Sequence, residues 1–285
     1  KLRHQLESEP ALSGLAEDIA ATRPHLFSST MVFITLAQQQ KMQAIVDAVE
    51  QVVAMPGWRQ QALEQAPNIA SVDNGAMGVF FGYDFHLGAE GPQLIEINTN
   101  AGGAYLNLAL ARAQTACCAD VQRFYSPAES LETLEQQWLD MFRHEWKMQK
   151  GDAPLRTILI VDEAPHQQYL YPEFLLFRGL FERAGLRCII ADPSELRWYS
   201  ERLWHGDDAI DLVYNRLTDF YLEKPASEAL RQAYLSQAIV LTPHPRAHAL
   251  YADKRHLVCL SDDAKLQALG VVASNRQKLL SGIPA

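Results

Sequence analysis

Hydrophobic positions fall into two registers along this chain. In residues 35–53, Met42, Ile45, Val46, Val49, Val52 and Val53 recur at three- and four-residue spacing, the pattern of a helix that buries one face. Met55-Pro56-Gly57 stops it. The whole stretch from residue 1 to about 70 reads as helical. A second amphipathic helix is predicted from Pro127 to about Lys150, with Leu131, Leu134, Trp138, Met141 and Phe142 on one side and glutamates and glutamines on the other. Between these helices the period changes. Residues 78–82, Gly-Val-Phe-Phe-Gly, predict a short strand, and residues 82–103 predict a hairpin that turns between Gly88 and Pro92. Residues 105–119 then predict a helix with Leu106, Leu110 and Ala113 inward.

Beyond Gly151-Asp-Ala-Pro154 the pattern alternates. Apolar runs at 157–161, 187–191, 209–214 and 238–242 predict strands. Residues 171–184 predict a helix with Phe174, Leu175, Leu180 and Phe181 inward, residues 194–198 a helical turn, and 227–237 another helix. Strands alternating with helices imply a parallel sheet wrapped on both faces. Ligands of such sheets gather beyond the carboxyl ends of the strands. That rule directs attention to Asp162 and Glu163, Asp192, Asn215 and Arg216, and residues 243–246. No Gly-x-Gly-x-x-Gly follows the first strand, where Asp162-Glu-Ala-Pro-His166 stands instead, which weakens a dinucleotide-binding reading.

Composition narrows the classes. A chain of 285 residues, 48% hydrophobic and 21% charged, has room for two ordinary domains. A net charge of −9 argues against a nucleic-acid or anionic-membrane partner. No apolar run approaches the ~20 residues that span a bilayer, and the first residues hold no apolar signal core. Four cysteines, two of them adjacent at Cys117 and Cys118, fit neither a disulfide framework nor a zinc knuckle. A reducing cytoplasm is the simple inference. His244, His248 and His256 have no metal-ligand spacing and read as ordinary loop and helix residues.

In the hairpin, alternation along the second strand sets Glu96 and Asn98 on one face and Ile95 and Ile97 on the other. A carboxylate beside an amide oxygen is a hard-oxygen set suited to Mg²⁺, and equally an ordinary wet sheet face. Gly102 and Gly103 allow a ligand close to the backbone, and the helix start beside them favours an anion, a phosphate or a substrate carboxylate.

Asp84-Phe85, a turn, and then Leu-Ile-Glu-Ile-Asn-Thr-Asn-Ala-Gly-Gly at 94–103 resemble the hairpin of the eukaryotic-type glutathione synthetases, the circularly permuted branch of the ATP-grasp ligases. The pair falls in the first half of the chain, as the permuted order implies. The resemblance implies Mg²⁺ on Glu96 and Asn98 at the phosphates of ATP, with Asp84 close to the metal end. Residues 213–221 resemble the segment whose Arg grips the peptide substrate, which places Arg216 on the acid, with Asn215 and Asp219 beside it. An ion pair between Arg216 and Asp219 closing the loop is the competing reading. Ala252-Asp-Lys-Arg-His256 resembles the re-entry into the ATP-grasp domain, which brings Lys254, or its neighbour Arg255, to the phosphates.

The likeness covers element order from about Phe33 to Leu260 and is specific at 84–103, 214–219 and 253–255. It also has departures. Gly82 stands where the family has an Arg, Ala101 and Gly103 where it has serines, and Asp219 where it has a Tyr. An acid other than the glutathione precursor is therefore expected. Nothing near Ala285 resembles the family's glycine-rich phosphate loop, so a truncated, inactive chain is expected.

The expectation is an α/β protein: a helical region and partial ATP-grasp domain at 1–153, an inserted parallel-sheet, Rossmann-like substrate domain at 154–249, and a return into the ATP-grasp domain at 250–285. The function implied is an ATP-dependent carboxylate-amine ligase that uses Mg²⁺ and ATP on a small acid and an amine. No general base is named, and a homodimer stays open. The rivals are a turnover-free small-molecule binder or scaffold of the same fold and a dinucleotide enzyme on the parallel sheet.

Overall fold

The computed structural model describes residues 1–7, 12–28, 30, 32–115 and 128–284. It is a mixed α/β protein with parallel and antiparallel sheets. In chain order the helices are α1 (Leu2–Leu6), α2 (Leu15–Thr22), α3 (Leu36–Val53), α4 (Pro56–Glu64), α5 (Ala104–Thr115), α6 (Ala128–Lys150), α7 (Tyr171–Arg183), α8 (Glu228–Leu235), α9 (Pro245–Tyr251), α10 (Arg255–Leu260), α11 (Asp263–Ala268) and α12 (Ala273–Gly282). The strands are β1 (Gly82–Gly88), β2 (Gly91–Asn98), β3 (Thr157–Val161), β4 (Arg187–Ala191), β5 (Leu196–Tyr199), β6 (Arg202–His205), β7 (Asp208–Ala209), β8 (Leu212–Asn215) and β9 (Val240–Thr242). The end of the helix predicted at 105–119, and Cys117 and Cys118, lie outside the described residues.

The chain forms two compact units. One holds residues 1–30, 74–79 and 102–242; the other holds 31–73, 80–101 and 243–285. This partition differs from the boundaries expected near 153 and 249, for a reason visible in the packing. Phe142 of α6 lies edge-on to Phe181 of α7 and Tyr214 of β8, with ring centroids 5.0 Å apart in both cases. Tyr105 of α5 meets Phe177 of α7 edge-on at 5.2 Å. Helices α5 and α6 therefore cover the parallel-sheet layer and share its core. Segment 74–79 is tied to the same unit by Glu145, 2% exposed, which accepts from the backbone N–H of Met77 and Gly78 (2.9 Å each) and from Thr242 Oγ1 (2.7 Å).

In this first unit β3, β4, β8 and β9 form a parallel sheet in the order β4-β3-β8-β9. The alternation of apolar runs and helices is thus realised. The helical turn expected at 194–198 is instead a 3₁₀ turn at Pro193–Glu195 followed by strand β5, the first of an antiparallel meander β5-β6-β7. Residues 208–209 pair in that meander, so the third parallel strand begins only at Leu212.

The second unit is organised on α3. Thr35 caps it: its hydroxyl accepts from Gln38 N–H (3.2 Å) while Gln38 Oε1 accepts from Thr35 N–H (2.8 Å). Its buried stripe of Ile45, Ala48, Val49, Val52 and Val53 packs with Leu94 and Ile97 of β2, Leu266 and Leu279. Pro56 stops α3 and starts α4 at its first position, where its missing N–H costs nothing.

Two expectations around the hairpin are corrected. Residues 78–81 form no strand; Phe80 has φ of +54°, a left-handed conformation that breaks an extended run. Inside the hairpin the register shifts between Asp84 and Phe85, which face Glu96 and Leu94 respectively. Ile95 is thus the extra residue of a β-bulge. Leu94 and Ile97 are buried while Ile95 is 48% exposed, so Ile95 and Ile97 do not share a face.

Candidate functional site

The predicted metal pair lies on β2 of the second unit, where pairing with β1 brings Asp84 opposite Glu96 and Gly82 opposite Asn98. Asn98 Nδ2 donates to Asp84 Oδ2 at 3.3 Å. The bulge at Ile95 lets Glu96 and Asn98 project together while Leu94 and Ile97 both reach the core. A Cβ on Gly82 would meet the Cβ of Ala101 at 2.8 Å. Gly82 and Ala101 therefore touch, and each demands a small neighbour.

Lys254 Nζ lies 3.4 Å from Glu96 Oε1. Sequence alone left Lys254 and Arg255 as alternatives, and their partners differ here. Arg255 Nε donates to both oxygens of Asp253, at 2.9 and 3.0 Å, while Lys254 reaches the hairpin. The Arg255 fork holds the Asp253 carboxyl down at about 2. Among the described residues no three His, Cys, Asp or Glu side chains are grouped to hold a metal. Asp84, Glu96 and Asn98 nonetheless offer oxygen donors on neighbouring positions, the donor chemistry Mg²⁺ accepts when water completes its shell.

A sequence-hidden feature steadies this hairpin. Glu50 of α3 accepts from the phenols of both Tyr83 and Tyr251, the latter at 2.7 Å. Burial and the adjacent carboxylate push both phenols above their ordinary range. Spacing gave no sign of this contact, because it joins α3, β1 and α9.

The second set of candidates lies in the first unit. The sheet order β4-β3-β8-β9 reverses direction between β3 and β8, so the crevice that binds ligands in open α/β sheets falls past Val161 and Asn215. Asp162 and Arg216 stand there, 9% and 8% exposed. Burial pushes the Asp162 carboxyl up to about 6, against the pull of Arg216. Asp192, on the neighbouring strand end, instead accepts from the backbone of Ala164 and Ser194, 2.7 and 2.9 Å away.

Glu173, on the first turn of α7 and 1% exposed, was not anticipated. Its carboxylate accepts from Gly103 N–H (2.8 Å) and Tyr105 N–H (2.9 Å). The anion expected at the start of α5 is therefore the protein's own. Burial raises the Glu173 carboxyl despite these bonds and the nearby Arg216. A Cβ on Gly102 would collide with the Leu170 side chain and the Arg216 guanidinium. Gly102 and Gly103 thus admit Glu173 and Arg216 to the backbone, the same close approach that the sequence reserved for a ligand. The only local hint of Glu173 is an acid in a first helical turn, which ordinarily signals dipole compensation of its own helix.

Asn215 Oδ1 accepts from Leu217 N–H at 3.1 Å and shapes the turn after β8. Asp219 accepts from Glu223 N–H, Lys224 N–H and Ser227 Oγ, at 2.8, 3.0 and 2.8 Å. Its oxygens close its own loop, and these bonds hold its carboxyl below the usual range. His244 caps α9 by accepting from Ala247 N–H, and His256 meets the Ala249 carbonyl at 2.7 Å, structural roles in keeping with their sequence reading. Cys188 is buried.

No helix of the described residues is long and apolar enough to cross a membrane. No protein-family model matches the chain, and a search of curated proteins finds no match.

Proposed function

We propose that the chain belongs to an ATP-dependent carboxylate-amine ligase of the glutathione synthetase-like ATP-grasp type. The hairpin, α3 and residues 243–285 would be part of its ATP-grasp domain, and the parallel sheet its substrate domain. The observation that carries this reading is the meeting of Lys254 with Glu96. Two residues far apart in the chain, both given by the resemblance a place at the phosphates of one nucleotide, lie 3.4 Å apart.

In this reading a carboxylate oxygen of the acid attacks the γ-phosphorus of ATP, and the bond to ADP breaks. The amine nitrogen then attacks the acyl carbon, phosphate leaves with the bonding pair, and the nitrogen gives up a proton as the amide forms. Glu96, Asn98 and Asp84 would hold Mg²⁺, which when bound neutralises charge on the transferred phosphoryl group. Lys254 presents a compact positive charge to the same phosphates. Arg216, held over the Tyr214 ring with its guanidinium carbon 5.5 Å from the ring centre, offers a planar fork to the acid's carboxylate.

The test uses the full-length protein. Glu96→Ala should abolish ADP release that depends on added acid, and Lys254→Ala should raise the KM for ATP by about tenfold or more, the scale of one lost charge-assisted contact. Turnover unaltered in Glu96→Ala would defeat the metal assignment.

A further inference from the structure

An open groove of about 670 Å³ lies on the antiparallel meander of the first unit, lined by Arg197, Trp198, Tyr199, Trp204, Gly206 and Asp207. None of these residues carries a role given above. The size is that of a small-molecule site, for which about 300–1,000 Å³ is usual.

The register of β5 and β6 explains what this surface shows. Leu196 opposes His205, Arg197 opposes Trp204, Trp198 opposes Leu203 and Tyr199 opposes Arg202, and opposed residues point to one face. Leu196 and Leu203 are 6% and 0% exposed, so their face packs inward. Arg197, Tyr199, Arg202 and Trp204 make the outer one. Ser200 and Glu201, with φ of +50° and +57°, form the two-residue turn whose twist matches the strands and holds them in this register.

Two aromatic rings therefore stand on one rigid face, Tyr199 and Trp204 as diagonal neighbours at the ~7–8 Å of such a step. Tyr199 is 73% exposed. Trp204 Nε1 donates to the Tyr199 carbonyl at 3.1 Å, so its N–H is used within the sheet and the ring offers a ligand its face. At the edge, Arg197 Nη2 donates to the Gly206 carbonyl at 2.6 Å. That bond fixes the guanidinium and leaves its other amino group at an exposed position. Asp207, also exposed, lines the same groove. A donor fork and an acceptor carboxylate thus flank an aromatic platform. Residues 197–207 hold two arginines and two acids, Glu201 and Asp207, so the face has no excess charge with which to hold a polyanion.

The ligand this surface fits is uncharged, has flat apolar faces, and carries both donors and acceptors around its rim. A pyranose with equatorial hydroxyls answers that description. Its C–H face carries positive partial charge and suits the negative face of an aromatic ring, while its hydroxyls both donate and accept. Two platforms one diagonal step apart suit two successive rings of one chain.

We propose that the outer face of β5-β6 binds an equatorially linked oligosaccharide, with two successive rings laid on Trp204 and Tyr199 and hydroxyls bonded to Arg197 and Asp207. The proposal stands independently of the ligase reading.

Calorimetric titration of the full chain with cellotriose tests it, with sorbitol as a polyol that has the hydroxyls but no ring face. An oligothymidylate and a polyproline peptide serve as the other ligands that stack on aromatic surfaces. Saturable cellotriose binding with a Kd of about 1 mM is expected, at least about tenfold tighter than sorbitol. Tyr199→Ala, at an exposed position that leaves the fold intact, should weaken cellotriose by about threefold to tenfold, the worth of one stacking face. Asp207→Ala, also at the surface, should weaken it by a similar factor through loss of a charge-assisted hydrogen bond. No saturation by cellotriose up to about ten times the expected Kd overturns the proposal. So does sorbitol bound as tightly, or cellotriose binding unchanged in Tyr199→Ala. Tighter binding of the oligothymidylate or the polyproline peptide than of cellotriose overturns it in favour of a nucleic acid or a peptide.

Discussion

Single residues at the ends of β3 and β8 show how one environment serves two charges. Asp162 is raised because it is buried, so the folded protein holds its proton more tightly than the unfolded chain does. Stability from this group is therefore full below the ordinary carboxylate value of 3.8 and falls as pH rises toward about 6. Asp162→Asn should gain about 1–2 kcal/mol relative to the native protein across that window, after allowance for water at the sheet end. Urea midpoints at pH 4 and pH 7 read it; a gain equal at both pH values would mean that ionisation of Asp162 is not the cause. Beside Arg216, Gly102 is the residue that yields space. Gly102→Ala should cost about 1–3 kcal/mol, the usual range for overpacking a filled site, and thermal melts would show it. Sequence made Asp162, Gly102 and Arg216 visible as candidates because strand ends and paired glycines carry local signals. Glu173 stayed hidden because its partners come from a helix about seventy positions earlier.

At the level of elements, a bulge decides which side chains of the hairpin face the core. Strict alternation along β2 makes Ile95 and Ile97 equivalent, whereas the shifted register buries only Leu94 and Ile97. Ile95→Thr should therefore change stability by no more than about 0.5 kcal/mol. Leu94→Ala should cost about 2–5 kcal/mol, the range for a large-to-small change in a packed core. Equal losses in the two variants, by urea unfolding, would restore simple alternation. Helix α5 is likewise finished by something outside itself. Glu173→Gln leaves one of two buried N–H groups facing an amide NH₂, and a loss of about 1–3 kcal/mol is expected. The helical stripe of α3 and the four parallel strands were legible because each satisfies one period over its full length. The meander at β5-β6-β7 was not, since strands of two to four residues are too short for a period to declare itself.

For the whole molecule, unit membership follows burial and not chain order. The aromatic layer of Tyr105, Trp138, Phe142, Phe177, Phe181 and Tyr214 is contributed from both sides of the Gly151 break. A fragment of residues 154–249 therefore keeps the strands but loses α5 and α6, and it should lack a cooperative urea transition and a near-ultraviolet aromatic signal. A fragment of residues 102–242, which carries α5 and α6 with the four strands, should show both. A sharp transition in the shorter fragment would show that α5 and α6 are dispensable to this core. Composition and Pro or Gly punctuation suggested a boundary at 151–154. In the structure Gly151, with φ of +62°, only ends a helix, and Trp146 Nε1 donates to the Ala153 carbonyl across the break at 2.6 Å.

The order of amino acids by itself determined the strands and helices of the parallel layer, the α3 core stripe and the presence of an acid and an amide side by side on a hairpin. Each of these depends on neighbours a few positions away, where the 2.0 and 3.6 periods and turn chemistry act. Tertiary structure alone decided that Lys254 and not Arg255 meets Glu96, that Glu173 fills the anion position of α5, and that α5 and α6 belong with the sheet. Those outcomes turn on which distant groups exclude water together, and burial is a property of the folded surface that no local spacing encodes.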